Sequence, residues 1–142
     1  MIPNRSAPPG TVVPWLTYPD VDRAIAWLSG AFGFEERLRT PAEPNGTIHH
    51  AQLKVGAGAV VLTAGREAHP GVTLFIPVDD VDAHYECARQ FGARILSVPR
   101  TCEFGERQYS VEDLAGYRWT FSQSVADVNP EDWGAIVASH SG

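Results

Sequence analysis

The side chains best suited to acid–base or metal chemistry in this sequence are five histidines and two cysteines. His49 and His50 are adjacent, and neighbouring residues of a strand point to opposite faces, so this pair cannot chelate one ion in regular geometry. His84 falls on a predicted helix beside its apolar stripe, where a structural role is expected. His69 lies in a predicted loop and His140 in the C-terminal tail, so no pair has metal-site spacing.

Composition and charge exclude several classes of partner. The chain has 142 residues, of which 44% are hydrophobic, and a net charge of −6. It has no cluster of lysine and arginine, which argues against nucleic acid, and no apolar run near the ~18 residues of a membrane span. Cys87 and Cys102 do not form a C-x-x-C pair, which argues against a disulfide scaffold. We therefore expect one soluble, cytoplasmic domain.

An internal repeat organises the chain. Pro19-Asp20-Val21-Asp22 aligns with Asp79-Asp80-Val81-Asp82 at an offset of 60 residues, and Phe32-Gly33 aligns with Phe91-Gly92 at an offset of 59. A repeat of this length is typical of a duplicated structural unit. One residue has been lost from the second copy, within the helix or at its end.

Each copy is predicted to be a β-α-β-β-β unit. Asp20 and Asp80 are placed to cap a helix at its start, and Gly33 and Gly92 are placed to end it in a left-handed conformation. Short runs rich in β-branched and aromatic residues predict the strands. They span residues 11–18, 34–40, 49–55 and 59–64 in the first copy, and 72–78, 93–98, 108–112 and 117–123 in the second.

These elements predict an α+β domain over residues 11–123. Module 1 covers about residues 11–65 and module 2 about residues 71–123, after an N-terminal tail of residues 1–10. A C-terminal tail, residues 124–142, contains a short helix beginning at Pro130. We expect one curved, eight-stranded mixed sheet around a cavity, with both helices on the convex side.

The order of elements resembles the vicinal oxygen chelate superfamily, which comprises glyoxalases, bleomycin-resistance proteins and extradiol dioxygenases. The resemblance rests on Pro-Asp-Val-Asp-x-Ala-Ile-x-Trp at residues 19–27 and Val-Asp-Asp-Val-Asp at residues 78–82. Residues 50–53, 104–107 and 113–119 are similar to the PhnB-like branch. The resemblance implies the double-unit fold and a homodimer.

The resemblance also implies where a divalent metal would be held, on the first and last strands of each unit. The matching positions here are Val13, Val61, Thr73 and Thr120. Valine has no donor atom, and a neutral threonine hydroxyl is a poor substitute for imidazole or carboxylate. We therefore expect no metal and no other cofactor.

The two-residue period of the strands predicts which side chains line the cavity. Trp15 and Phe75, at equivalent positions of the two copies, provide aromatic surfaces among hydrogen-bonding groups, which suits a small, partly aromatic ligand. The predicted ligand-binding residues are Trp15, Thr17, His50, Gln52, Thr63, Thr73, Phe75, Gln108, Ser110, Arg118 and Thr120. The predicted core residues on the opposite faces include Ala51, Leu53, Tyr109, Val111, Trp119 and Phe121.

Two functions remain open. The first is a metal-free binding protein that holds a small organic molecule, as drug-sequestering relatives do. The second is a metal-independent isomerase or lyase acting on a small carbonyl compound, with His50 as acid or base, since the ordinary imidazole pKa lies near 6.5. A ligand-anchoring or structural His50 is favoured, although Glu106 or Glu112 could approach it after folding. A metal-dependent glyoxalase or dioxygenase is the least favoured reading.

Two arginines and two tryptophans lie outside this predicted wall. Arg107 is expected to form an ion pair at the edge of the core, and Arg100 to lie in a loop, either solvated or at the cavity mouth. Trp27, on the outer side of the first helix, and Trp133, in the tail, suggest subunit contact. Packing of the tail on its own domain explains Trp133 equally well.

Overall fold

The computed structural model describes residues 2–66 and 71–138, so His69 and His140 lie outside the described residues. Within these ranges the element order is β-α-β-β-β twice, as the repeat predicts. The strands are β1 (Trp15–Tyr18), β2 (Glu35–Arg39), β3 (His50–Val55), β4 (Gly58–Ala64), β5 (Thr73–Pro77), β6 (Arg94–Thr101), β7 (Glu106–Glu112) and β8 (Arg118–Ser124), and the α-helices are α1 (Val21–Phe32) and α2 (Val81–Phe91).

Both helices begin and end at the repeated residues. The carboxylates of Asp20 and Asp80 each accept a hydrogen bond from the backbone N–H three residues later, which satisfies one of the free donors of the first turn. Gly33 and Gly92 follow the last turns with φ of +77° and +95°, a left-handed conformation that glycine adopts without strain. The predicted helix caps are confirmed.

The eight strands form two four-stranded sheets rather than one. Their orders are β1-β4-β3-β2 and β5-β8-β7-β6, with the first strand of each unit parallel to the last and the other pairs antiparallel. The α+β class and the duplicated unit are confirmed. The predicted single sheet is divided because β1 and β5 each pair on one side only, and no ladder joins them among the described residues.

A single hydrophobic core connects the two units. Phe32, at the end of α1, packs against Trp119 and Phe121 of β8, with ring centroids 5.5 and 4.9 Å apart. The buried faces of both sheets and of both helices belong to one cluster of side chains. The opposite faces of the sheets point away from that cluster, so each sheet has an outer face of its own.

Two boundaries differ from the pattern-based predictions. β1 begins at Trp15 rather than Thr11, because Pro14 has no N–H to donate to a ladder, although its carbonyl accepts from Val61 N at 2.9 Å. β6 continues to Thr101 rather than ending at Val98, so Arg100 lies in a strand and not in a loop.

Trp27 is half-buried rather than exposed on the outer side of α1. Its ring meets Phe32 and Phe91 edge to face, with centroids 5.3 and 5.8 Å away. The expected exposure is wrong because α2 packs beside α1 and covers this position.

The C-terminal tail packs on its own domain. A 3₁₀-helix covers Pro130–Trp133, beginning at a proline as predicted, and the Trp133 ring lies 5.7 Å from that of Phe104. Neither this helix nor the longer ones in the described residues has the length and hydrophobicity of a membrane-spanning segment.

Candidate functional site

The outer faces of the two sheets carry the side chains predicted for the cavity wall. Ala51, Leu53 and Tyr109 are fully buried in the core, as the alternation predicts. On the opposite side, Trp15 of β1 is 67% exposed and Phe75 of β5 is 50% exposed. The predicted assignment of faces is therefore correct, and large aromatic surfaces are open to a ligand or a second chain.

The outer face of the second sheet carries a row of hydroxyl groups beside an aromatic ring. The strand register places Phe75 beside Thr120, Thr120 beside Ser110, and Ser110 beside Ser97. The Ser110 and Thr120 hydroxyl oxygens lie 2.8 Å apart, and Ser110 N donates to the Ser97 hydroxyl at 3.2 Å. This hydroxyl row can donate to or accept from a bound molecule along the face.

A second chain of hydrogen bonds runs beside the hydroxyl row. Gln108 Nε2 donates to Ser122 Oγ at 3.3 Å, and Ser122 Oγ donates to Glu106 Oε1 at 2.8 Å. Arg100 lies directly opposite Gln108 on the neighbouring strand. The carboxylate of Glu106 is thus held by a buried hydroxyl.

A pocket of about 560 Å³ opens on this face between β6 and β7. Gln108 and Ser110, both predicted from the sequence, lie in it. The sequence reasoning missed Ser97 and Cys102, because the register of β6 shifts twice between Ile95 and Arg100 and breaks simple alternation. The lining residues are Ser97, Val98, Pro99, Arg100, Cys102, Gln108 and Ser110.

The N-terminal strap, which we define as residues 4–10, lies against part of the outer face of the first sheet. Gln52 points away from the core yet is only 3% exposed, because its amide donates to the Ser6 carbonyl at 3.0 Å and accepts from Arg37. Arg37 also donates to the carbonyl of Arg5. Val61, opposite Gln52 in the ladder and outside the core cluster, is 1% exposed.

The N-terminal strap changes the role of one predicted wall residue. The sequence predicts a tail at residues 1–10, and hydrogen bonds from Arg37 and Gln52 to the carbonyls of Arg5 and Ser6 hold the strap on the sheet. Gln52 lies on the predicted face, but its amide group is already occupied. The outer face of the second sheet has no such cover from the strap and keeps its pocket.

The remaining predicted residues of the first sheet lie on β1, β3 and β4. His50 is half-buried and meets the ring of Trp15 edge to face, with centroids 6.0 Å apart. The Thr63 hydroxyl donates to the Leu16 carbonyl at 3.4 Å, and the backbone N–H of Thr17 donates to a tyrosine hydroxyl of the other unit. The strand register places Thr17 beside Thr63 and Thr63 beside His50, so the fold brings these predicted residues together.

No carboxylate orients His50 within the described part of the chain. Glu106 and Glu112, expected as partners that could approach, lie on β7 in the other sheet. Glu106 accepts from Ser122, and Glu112 pairs with Arg94 at 3.0 Å. That expectation is wrong because the two units place β3 and β7 in separate sheets.

His84 has a structural role, as predicted. Its Nε2 lies 3.2 Å from the Phe32 carbonyl and its Nδ1 lies 2.5 Å from the Tyr109 hydroxyl. The tautomer that fits carries its hydrogen on Nε2 and accepts at Nδ1. Burial lowers the pKa of His84 below its ordinary value, so the imidazole stays neutral and links α2 to α1 and β7.

The positions implied for metal ligands do not fit a divalent ion. Val61 is hydrocarbon and buried, and the Thr120 hydroxyl is bonded to Ser110. The other two positions are Val13 and Thr73, so none of the four side chains is an imidazole, carboxylate or thiolate. In residues 2–66 and 71–138, no three His, Cys, Asp or Glu side chains are grouped so that they could hold an ion.

Comparisons with known proteins agree with the fold. A family model described as the Glyoxalase/Bleomycin resistance protein/Dioxygenase superfamily matches residues 10–121. An uncharacterized protein of Mycobacterium bovis is 30% identical in an alignment 139 positions long, and the alignment covers 89% of this chain and 91% of that protein. Among solved structures, TioX from Micromonospora sp. ML1 is 36% identical with a TM-score of 0.71, covering 81% of this chain and 98% of that one. A glyoxalase-related enzyme from Clostridium phytofermentans shares the fold at 19% identity and a TM-score of 0.68, covering 86% and 100%.

Proposed function

Because the chain belongs to the glyoxalase, bleomycin-resistance and dioxygenase superfamily, we propose that it binds a small, partly aromatic organic molecule without a metal ion. The observation that carries this proposal is the pocket of about 560 Å³ on the second sheet. The hydroxyl row lies beside it, and Phe75 lies next to Thr120 at the far end of that row. Concave sites of this size with a few placed polar groups are typical of small-molecule binding.

We propose that the molecule is held unchanged, as in a drug-sequestering protein. The polar groups of this face are mostly hydroxyls and an amide that bond to one another, such as Ser110 to Thr120 and Gln108 to Ser122. Such groups orient a ligand, and none of the seven residues that line the pocket is a histidine, aspartate or glutamate that could abstract a proton. Sequestration requires only binding.

We further propose a homodimer in which β1 of each copy pairs with β5 of the other. The edge strands β1 and β5 each have a side without a ladder partner in the described residues, and unpaired strand edges associate readily. Exposed apolar side chains lie on or beside these strands, which favours a contact surface. They are Val12, Trp15, Val72 and Phe75. Pairing of β1 with β5 of the other copy would bring Trp15 to the pocket side.

A ligand screen with product analysis tests the proposal. Purified protein in EDTA is screened by thermal shift against aromatic acids, glutathione conjugates and intact antibiotics, and mixtures are then examined by mass spectrometry. A true ligand at 100 times its Kd stabilises the native state by about 2.7 kcal/mol and is recovered unchanged.

Phe75→Ala should abolish the shift. Val125→Ala, at a residue of similar exposure (45% against 50%), should retain it. Absence of any stabilising compound would contradict the proposal.

The alternative is an isomerase or lyase that uses His50 as acid or base. It is less favoured because the imidazole has no carboxylate partner in the described residues and lies beside Trp15 on the first sheet, not among the residues that line the pocket. Conversion of a carbonyl compound in EDTA, lost in His50→Ala, would establish this alternative instead.

A further inference from the structure

We infer that the pocket on the second sheet takes an anionic group, so that the ligand is an aromatic molecule with a carboxylate or similar anion at one end. This inference rests on the proposed function and adds the charge of the ligand and its orientation. Arg100 is the one charged residue among the seven that line the pocket.

Arg100 differs from its neighbours on the same strand pair. Arg94 is paired with Glu112 at 3.0 Å, and Arg107 with Asp82 at 3.0 Å. In residues 2–66 and 71–138, no hydrogen bond or ion pair engages the guanidinium of Arg100. Its five N–H donors therefore remain for a ligand.

The groups around Arg100 favour an anion over a cation. Ser97 accepts a hydrogen bond from Ser110 N, which leaves the Ser97 hydroxyl hydrogen to donate, and the Gln108 amide has a second N–H. None of the seven residues that line the pocket is acidic. A guanidinium with neighbouring hydroxyl and amide donors matches a carboxylate.

The net charge of the outer face of the second sheet also favours an anionic ligand. The outer face of the second sheet carries three arginines and two glutamates, an excess of one positive charge, on a chain whose net charge is −6. An anion approaching the molecule is therefore repelled less here than elsewhere. These residues are Arg94, Arg100, Arg118, Glu106 and Glu112.

The register of the sheet fixes the ligand's orientation. Phe75 and Ser97 lie on the two edge strands of the second sheet, separated by β8 and β7. Adjacent strands are about 4.8 Å apart, so these positions are separated by about 14 Å. A ring placed toward Phe75 and an anion placed at Arg100 therefore describe an elongated molecule that crosses the hydroxyl row.

A matched pair of probes tests this inference. Biphenyl-4-carboxylate and the neutral biphenyl-4-carboxamide have nearly the same shape, and their affinities are measured by calorimetry with wild-type protein, Arg100→Met, Arg100→Lys and Arg94→Met. We expect wild-type protein to prefer the carboxylate by about five- to tenfold, as for an arginine–carboxylate hydrogen bond in a partly open site. Arg100→Met should lose this preference, whereas Arg100→Lys should keep part of it and Arg94→Met nearly all.

The outcomes separate this inference from the proposed function. Equal affinity of the two probes for wild-type protein would overturn the anion site and leave binding of aromatic molecules standing. A carboxylate preference that survives in Arg100→Met would also overturn it, because another group would then hold the anion. Failure of both probes to bind, together with a ligand screen without hits, would overturn both proposals.

Discussion

The Tyr18 hydroxyl donates a hydrogen bond of 2.7 Å to the carboxylate of Asp113, which joins β1 of the first unit to the turn between β7 and β8 of the second. Asp113 is buried and also accepts from Trp119 Nε1 at 3.0 Å and from the backbone N–H groups of Ala115 and Tyr117. Each of these four donors offsets part of the cost of burying the carboxylate. This carboxylate therefore couples the packing of the two units.

Removal of this carboxylate should destabilise the whole domain. We expect Asp113→Ala to lower the free energy of unfolding by about 2–4 kcal/mol, because a buried hydroxyl and an indole N–H lose their acceptor. Tyr18→Phe should cost about 1 kcal/mol, since it removes one hydrogen bond. Urea denaturation measures both, with the exposed Asp127→Ala as a control expected to change little. A small effect of Asp113→Ala would show that the units do not depend on this contact.

The buried imidazole of His84 should make stability depend on pH in the acid range. Burial lowers its pKa in the folded state, so the unfolded state binds a proton more readily. The stabilising contribution is present above the ordinary imidazole pKa, near 6.5, and is lost as the pH falls through the lower folded value. Denaturation curves between pH 7.5 and about 5 should show this loss. His84→Gln should flatten the curve, because glutamine does not titrate in this range.

The repeat and the alternation of side chains were sufficient to predict the faces of the sheets. Asp20, Gly33 and their equivalents mark the helix ends, because capping depends on local chemistry that a sequence displays. Trp15 and Phe75 lie on the outer faces because the two-residue period of a strand is rigid. These features depend on neighbours in the chain.

The features that were not predicted depend on contacts distant in sequence. The strap is held by Arg37 and Gln52, residues separated from it by about thirty or more positions, and no local pattern marks that contact. The pocket residue Ser97 follows a shift of register in β6, which alternation cannot anticipate. The burial of Trp27 was not predicted either, because it depends on how α2 packs against α1.

Release of the N-terminal strap should expose it to proteolysis. Arg37→Met removes the hydrogen bonds to Gln52 and to the carbonyl of Arg5. That carbonyl is part of the peptide bond after Arg5, which trypsin cleaves. We expect cleavage at Arg5 to accelerate about three- to tenfold, as the loss of one or two hydrogen bonds implies. Mass spectrometry follows loss of the first five residues. Arg23→Met makes an equal change of charge on α1 and serves as the control. An unchanged rate of cleavage in Arg37→Met would mean that the Arg37 guanidinium does not hold the strap.

Charge introduced on the edge strands should prevent dimer formation. In the proposed dimer, β1 pairs with β5 of the other copy, so a carboxylate at Trp15 or Phe75 would be desolvated at the contact. Light scattering should give about twice 15.4 kDa for the wild-type chain and 15.4 kDa for Trp15→Asp and Phe75→Asp. Ile136→Asp, at a residue that is 96% exposed in the C-terminal tail, should remain a dimer. A monomeric wild-type chain would refute the dimer. In that case, the pocket would remain a site formed by the second sheet alone.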